Sequence, residues 1–266
     1  MKPFFYTISI IISCLFFIVS NGYSVTVMVV TEEFPPFNYT EDGKVIGAST
    51  EIVKEVLNRA NINYTIRPSP MEKGKKPYTI KSYPWEKAYK IALEQSNVLI
   101  YSIVRTPKRE NLFKWVDEIA PYNVYLYKMK NRTDIKPIST IYELKAYKIG
   151  GVRDTAAIQY LERNGFISGK HLDLVTNKDL LLNYVLQKRV DLFPIDEISA
   201  IYTLKKAGLK IANFEIAFPL KDISSGLYMA FSLKTNDDVV EKCRKVLTDM
   251  KSDGSYDKIM SPYLNQ

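Results

Sequence analysis

One histidine and two cysteines are all that this chain of 266 residues offers in imidazole and thiol. A Cys/His zinc cluster is excluded on that count, and a Ser-His-Asp or Cys-His site has only His171 to act as base. Cys14 lies in the N-terminal apolar run, so its removal by processing leaves Cys243 alone and no intramolecular disulfide can form. Stability must then come from a core, and 46% hydrophobic residues over this length are enough for one large or two medium domains. No nucleic-acid motif or interleaved aromatic platform accompanies the net charge of +8, and five lysines crowd into Met71 to Lys87, which reads as a solvated surface. The chemistry that remains is that of carboxylates, lysine, tyrosine and binding.

The N-terminus has the form of a secretory signal. Lys2 gives a cationic start, Phe4 to Val19 is mostly apolar, and Ser20 to Ser24 supplies small residues for cleavage. A cut after Ser24 is expected, placing the mature protein outside the cytoplasm, in the periplasm. The alternative of a membrane anchor needs about 20 apolar residues to span a bilayer, more than this run provides. Lipid attachment at Cys14 is disfavoured by the five apolar residues that follow it.

Beyond that segment, apolar runs alternate with helical patterns. Strands are expected at Val25 to Thr31, Asn63 to Arg67 and Asn97 to Val104, with a helix from Glu51 to Ala60 capped by Ser49-Thr50 and another opening at Pro84. Strands at 123–128, 148–152 and 190–195 and helices at 154–164, 180–188 and 197–207 follow. The chain ends in a strand at 226–232 and two helices, the first capped by Asn236. The β-α-β-α-β order of the first part indicates a parallel-rich sheet covered by helices. Two α/β lobes without a disordered tether are expected.

Glu33-Phe34-Pro35-Pro36-Phe37, followed by Asp42 to Gly47 and a helix, stands ahead of Thr106-Pro107-Lys108-Arg109 with Phe113-Lys114-Trp115. Val190-Asp191 through Asp196 and the ending Asp253-Gly254-Ser255-Tyr256-Asp257-Lys258-Ile259 come in the same order. In these markers the chain resembles the bacterial extracellular solute-binding proteins of the amino-acid type, family 3, with the periplasmic-binding-protein type II fold. The resemblance covers essentially the whole mature chain. It implies a two-lobed α/β architecture with a ligand cleft between the lobes and a two-strand hinge. Residues 25–118 and 227–266 would form lobe 1 and residues 119–226 lobe 2. It also implies a monomer without a cofactor, closing around a small solute and presented to the membrane permease of an ABC importer.

An amino acid entering a cleft must exchange the hydration of two charged groups for protein partners. The resemblance assigns the carboxylate to Arg109, with Thr155 at a helix N-terminus assisting, and the ammonium to Asp196. Phe34 and Trp85 match aromatic wall positions, where cation-π attraction is worth about 0.5 to 2 kcal/mol. Ser102, in the apolar strand before Arg109, joins the set. Asp196 is equally placed to cap the helix it precedes, and either ring could be core. Three residues depart from the family pattern: Val104 where a hydroxyl is frequent, Arg105 where an apolar residue is frequent, and Asp154 where glycine is usual. A small polar solute, an amino acid or related carboxylate, is the expected ligand. The competing readings are a secreted dehydratase of the same fold using Asp196 or Glu33 as general acid, and a diffusible sensor or partner-binding module.

Overall fold

The computed structural model describes residues 26–65 and 82–264. The signal segment, most of the lysine-rich run and the second half of the strand expected at 63–67 lie outside the described residues. The elements in order are β1 (Val27–Val30), β2 (Tyr39–Glu41), β3 (Lys44–Ile46), α1 (Ala48–Arg59), β4 (Tyr64–Thr65), α2 (Trp85–Glu94), β5 (Val98–Val104), β6 (Phe113–Pro121) and β7 (Val124–Met129). They continue with β8 (Ile149–Val152), α3 (Ala156–Arg163), β9 (Leu172–Val175), α4 (Lys178–Leu186), β10 (Phe193–Asp196), α5 (Glu197–Lys206), β11 (Phe214–Pro219), β12 (Gly226–Ser232), α6 (Asp237–Ser252) and α7 (Ser255–Leu264).

Two α/β bodies result. The first holds a five-stranded sheet in the order β4-β1-β5-β12-β6. Its strand β5 reads Val-Leu-Ile-Tyr-Ser-Ile-Val and is buried at every position, as a central strand covered on both faces should be. The parallel-rich expectation holds for β4-β1-β5 only; β12 runs antiparallel to both β5 and β6. The chain leaves this sheet along β6 and returns along β12, which pair from Phe113 with Ser232 to Pro121 with Gly226. The second body carries the antiparallel sheet β10-β7-β11 and the parallel pair β8-β9, joined to β10 by a bridge between Ile149 and Leu192.

Helix α1 corrects the expected cap. Ser49 and Thr50 lie inside it, and its first turn donates to backbone instead: Ala48 to the Pro36 carbonyl and Ser49 and Thr50 to that of Phe37. This close seating demands Gly47, whose φ is 114° and where a Cβ would stand 2.6 Å from the carbonyl oxygens of Pro36 and Phe37. The Pro35 to Phe37 turn is thereby fixed to the start of α1, which fixes Phe34 beside it. Cys243 is fully buried in α6, and burial pushes its thiol up to about 12, so it is a core residue. His171 accepts from the Ile167 N–H at 3.1 Å and is half of an edge-to-face ring contact with Phe166, also a structural role.

Candidate ligand cleft

Between the two bodies lies a cavity of about 80 Å³, and all six residues singled out from the sequence line it: Phe34, Trp85, Ser102, Arg109, Thr155 and Asp196. A larger chamber of about 660 Å³ lies next to it, and Glu32, Trp85 and Lys178 belong to the walls of both. The cavity sits beyond the carboxyl ends of β1, β5 and β10, the place where open α/β sheets leave room for a ligand.

Arg109 follows β5 and is 1% exposed. Its Nε donates to Gln159 Oε1 at 3.1 Å, Nη1 to the Val104 carbonyl at 3.1 Å and Nη2 to the Asp154 carbonyl at 2.8 Å. These acceptors are neutral, and the rings of Trp85 and Tyr89 cover the guanidinium at 5.3 and 5.1 Å. Burial drives its pKa down, the signature of a cation short of compensating charge. The start of α3 faces the same cavity through Ala156 and Ala157 and carries no side-chain cap, because Thr155 donates its hydroxyl back to the Val152 carbonyl at 2.8 Å. First-turn N–H groups without partners, together with the helix dipole, make this an anion-accepting end.

Asp154 explains its own departure from glycine. Its φ is 59°, a left-handed conformation that glycine adopts freely and aspartate tolerates. The side chain is exposed, while the carbonyl turns inward to accept from both Arg109 and Trp85, the latter at 2.9 Å. Arg105 takes no part in the cavity: it forms a two-pronged pair with Glu110 at 2.5 and 2.8 Å and stacks near Trp115. Val104 contributes an apolar wall and the carbonyl that holds Arg109.

On the opposite wall, Asp196 combines both roles open to it. It caps α5, accepting from the Ser199 N–H at 2.9 Å, and it lines the cavity while 2% exposed. Burial raises its pKa, as it does that of Glu32, whose carboxyl is likewise turned into the cleft. Ser102, held at φ 55°, donates to Asn38 Oδ1 at 2.5 Å, and Asn38 donates to the Glu32 carbonyl at 2.7 Å. Ser102 therefore presents an acceptor lone pair to the cavity.

Glu33, the alternative general acid, does not line this cavity but the larger chamber. Its carboxylate accepts from the Thr40 N–H and hydroxyl at 2.9 and 2.6 Å and is exposed on the rim. Its neighbour Glu32 reaches the inside instead. Sequence reasoning also missed Gln159, Tyr122 and Lys178. The last carried a signal: a lysine opening a helix faces the positive end of the dipole, which needs an acidic partner nearby. Lys178 Nζ lies 3.9 Å from Glu32 Oε2 and 3.2 Å above the centre of the Phe34 ring.

Residues 26–266 match the model of the bacterial extracellular solute-binding proteins, family 3. The chain belongs to this family. The histidine-binding periplasmic protein of Escherichia coli strain K12 is 22% identical to this solute-binding protein over 239 residues, 87% of this chain and 84% of the relative. The L-cystine-binding protein TcyA of Bacillus subtilis is 23% identical over 235 residues, 88% and 78% of the two chains. Among solved structures, an ancestral arginine-binding protein bound to arginine superposes with a TM-score of 0.70 at 21% identity, over 90% of this chain and 97% of that one. The two-lobed type II fold of this solute-binding protein is thus shared with its family, and the relatives named here are binding proteins.

Proposed function

We propose that this solute-binding protein captures a small amino acid as its zwitterion and delivers it to the permease of an ABC importer. The observation that carries the reading is Arg109: a buried guanidinium on neutral acceptors, beside the uncapped start of α3 and across the cavity from Asp196. A carboxylate placed there supplies a charge partner, and an ammonium beside Asp196 favours its ionised form. Phe34 and Trp85 wall the space between, with Ser102 and Thr155 completing its polar lining. In this reading residues 1–24 are a cleaved export signal and the mature protein works in the periplasm as a monomer without a cofactor. Residues 25–118 with 227–266 form one lobe and 119–226 the other, moving about the passages from β6 to β7 and from β11 to β12. Catalysis is no part of the proposal, and the engagement of Glu33 by Thr40 leaves the dehydratase alternative without that acid.

Calorimetric titration of the mature protein with amino acids, polyamines and small organic acids tests this. One-to-one binding of an amino acid, recovered chemically unchanged, is the expected result. A panel without an amino-acid ligand, or a ligand converted to product, overturns it.

A further inference from the structure

Besides the phenol of Tyr122, four ionisable groups line the cavity: Glu32, Arg109, Lys178 and Asp196. Two are acids and two are bases, so their ionised forms cancel. Arg109 is committed to the far wall by Gln159, Val104 and Asp154. Lys178 is the group that faces the acids. Its side chain is 27% exposed, yet its ammonium rests on the ring of Phe34 at 3.2 Å from the centroid and 3.9 Å from Glu32, whose side chain is 12% exposed. An aromatic face beside a buried carboxylate is the environment that a cation from solution would seek. Here the protein's own chain fills it.

The position is costly for a lysine in two ways. It is the first residue of α4, at the positive end of the helix dipole, and the Asn177 side chain already caps that turn by accepting from Leu180 N–H at 2.8 Å. Burial also lowers the pKa of the ammonium, opposed by Glu32 and Asp196. Glu32 on the other lobe, together with Asp196 on the same lobe, is the compensation that keeps the cation there.

We infer that Lys178 sets the charge selectivity of the cleft: by occupying the cation place between Phe34 and Glu32, it restricts the ligand to amino acids with neutral or acidic side chains and rejects arginine and lysine. This rests on the amino-acid reading above and sharpens it. A zwitterion meets Arg109 and Asp196 without disturbing the Lys178–Glu32 pair. A ligand with a cationic side chain brings a third positive charge against two carboxylates, and either repels Lys178 or must drive it out. Because Lys178 stands in the wall shared with the larger chamber, a longer neutral or acidic side chain has space beyond it, with the ammonium available as a hydrogen-bond donor.

The test uses the mature chain and its Lys178→Gln and Lys178→Met variants, each titrated calorimetrically with the twenty amino acids after circular dichroism has shown a folded protein. The wild type should bind its best neutral or acidic ligand at least tenfold more tightly than arginine or lysine. Both variants should gain at least tenfold in affinity for arginine relative to that ligand, since removing one positive charge leaves Glu32 open. A wild type that prefers arginine or lysine overturns the inference, as does a preference that stays unchanged in both variants, while in either case the amino-acid reading stands. A wild type that binds no amino acid removes that reading and this inference with it. If one variant fails to fold, the other decides, because Gln keeps a polar end and Met an apolar stem of similar length.

Discussion

Two cations line the cleft, and they are compensated in opposite ways. Arg109 is anchored by carbonyls and a carboxamide, with rings around it, and its hydrogen bonds go to neutral acceptors. Lys178 is held more loosely, but beside the Glu32 carboxylate and an aromatic face, with Asp196 adding a favourable charge. The difference separates the tasks of the two walls. A cation anchored in geometry and unpaired in charge is poised to receive an anion, whereas a cation already paired closes its place to others. The same contrast divides the acids: Asp196 is tied to the α5 start, while Glu32 answers to Lys178.

The largest expected effect breaks the Arg109 side. Arg109→Ala should weaken binding of an amino acid by about 2 to 5 kcal/mol, because the ligand carboxylate would be buried without its partner. Titration calorimetry reads this directly, and unchanged affinity would remove Arg109 from the site.

The second prediction concerns the acids. Asp196 has a raised pKa through burial, so between the ordinary carboxylate range near 4 and its folded value the native state holds a proton that the unfolded chain has lost. Stability from this group is complete below that window and is lost as pH rises through it, at up to about 1.4 kcal/mol per pH unit. Thermal melts from pH 4 upward should show this loss in the ligand-free protein and a flatter profile in Asp196→Asn, which keeps the α5 cap. Amino-acid binding should release protons in the same window, since the ligand ammonium favours the ionised acid. Proton uptake on binding, or parallel profiles for the two proteins, would assign the ionisation elsewhere.

The smallest effect sharpens the contact between the walls. Trp85→Phe keeps the ring over Arg109 but removes the Nε1–H donated to the Asp154 carbonyl, which Arg109 still engages. A loss of about 1 kcal/mol in ligand affinity is expected, the usual net worth of one hydrogen bond. Calorimetry giving a loss as large as that of Arg109→Ala would mean that the ring itself, and not the bond, carries the closure.

Much of the fold was legible because the code for it is local. The predominantly apolar run from Val98 to Val104, the Asn236 cap and the Asp196 stop before α5 each announce an element by periodicity or capping chemistry. The short hairpin of β2 and β3, the strand β9 and the antiparallel course of β6 beside β12 were not anticipated, since strand direction is decided by partners far away in sequence. At the cleft, Arg109 and Asp196 stand at element ends and could be found there. Glu32 and Glu33 are adjacent and chemically alike, and only the turn from Phe34 to Asn38, with Thr40 claiming Glu33, decides which one points inward. Gln159 and Lys178 belong to helices of the second body and enter the site through its packing against the first.

By itself the sequence determined the kind of protein: a chain with too little imidazole and thiol for a Cys/His zinc cluster and only His171 to serve a triad, a core large enough for two α/β bodies, and the order of motifs that places it in its family. Those properties follow from composition and from interactions within a few residues. The tertiary structure decided the electrostatics of the cleft. Which carboxylate is buried, which carbonyls hold Arg109 and which acids hold Lys178 all depend on two bodies meeting, and charge in a water-poor space is governed by neighbours at 3 to 4 Å that the linear order of residues does not specify.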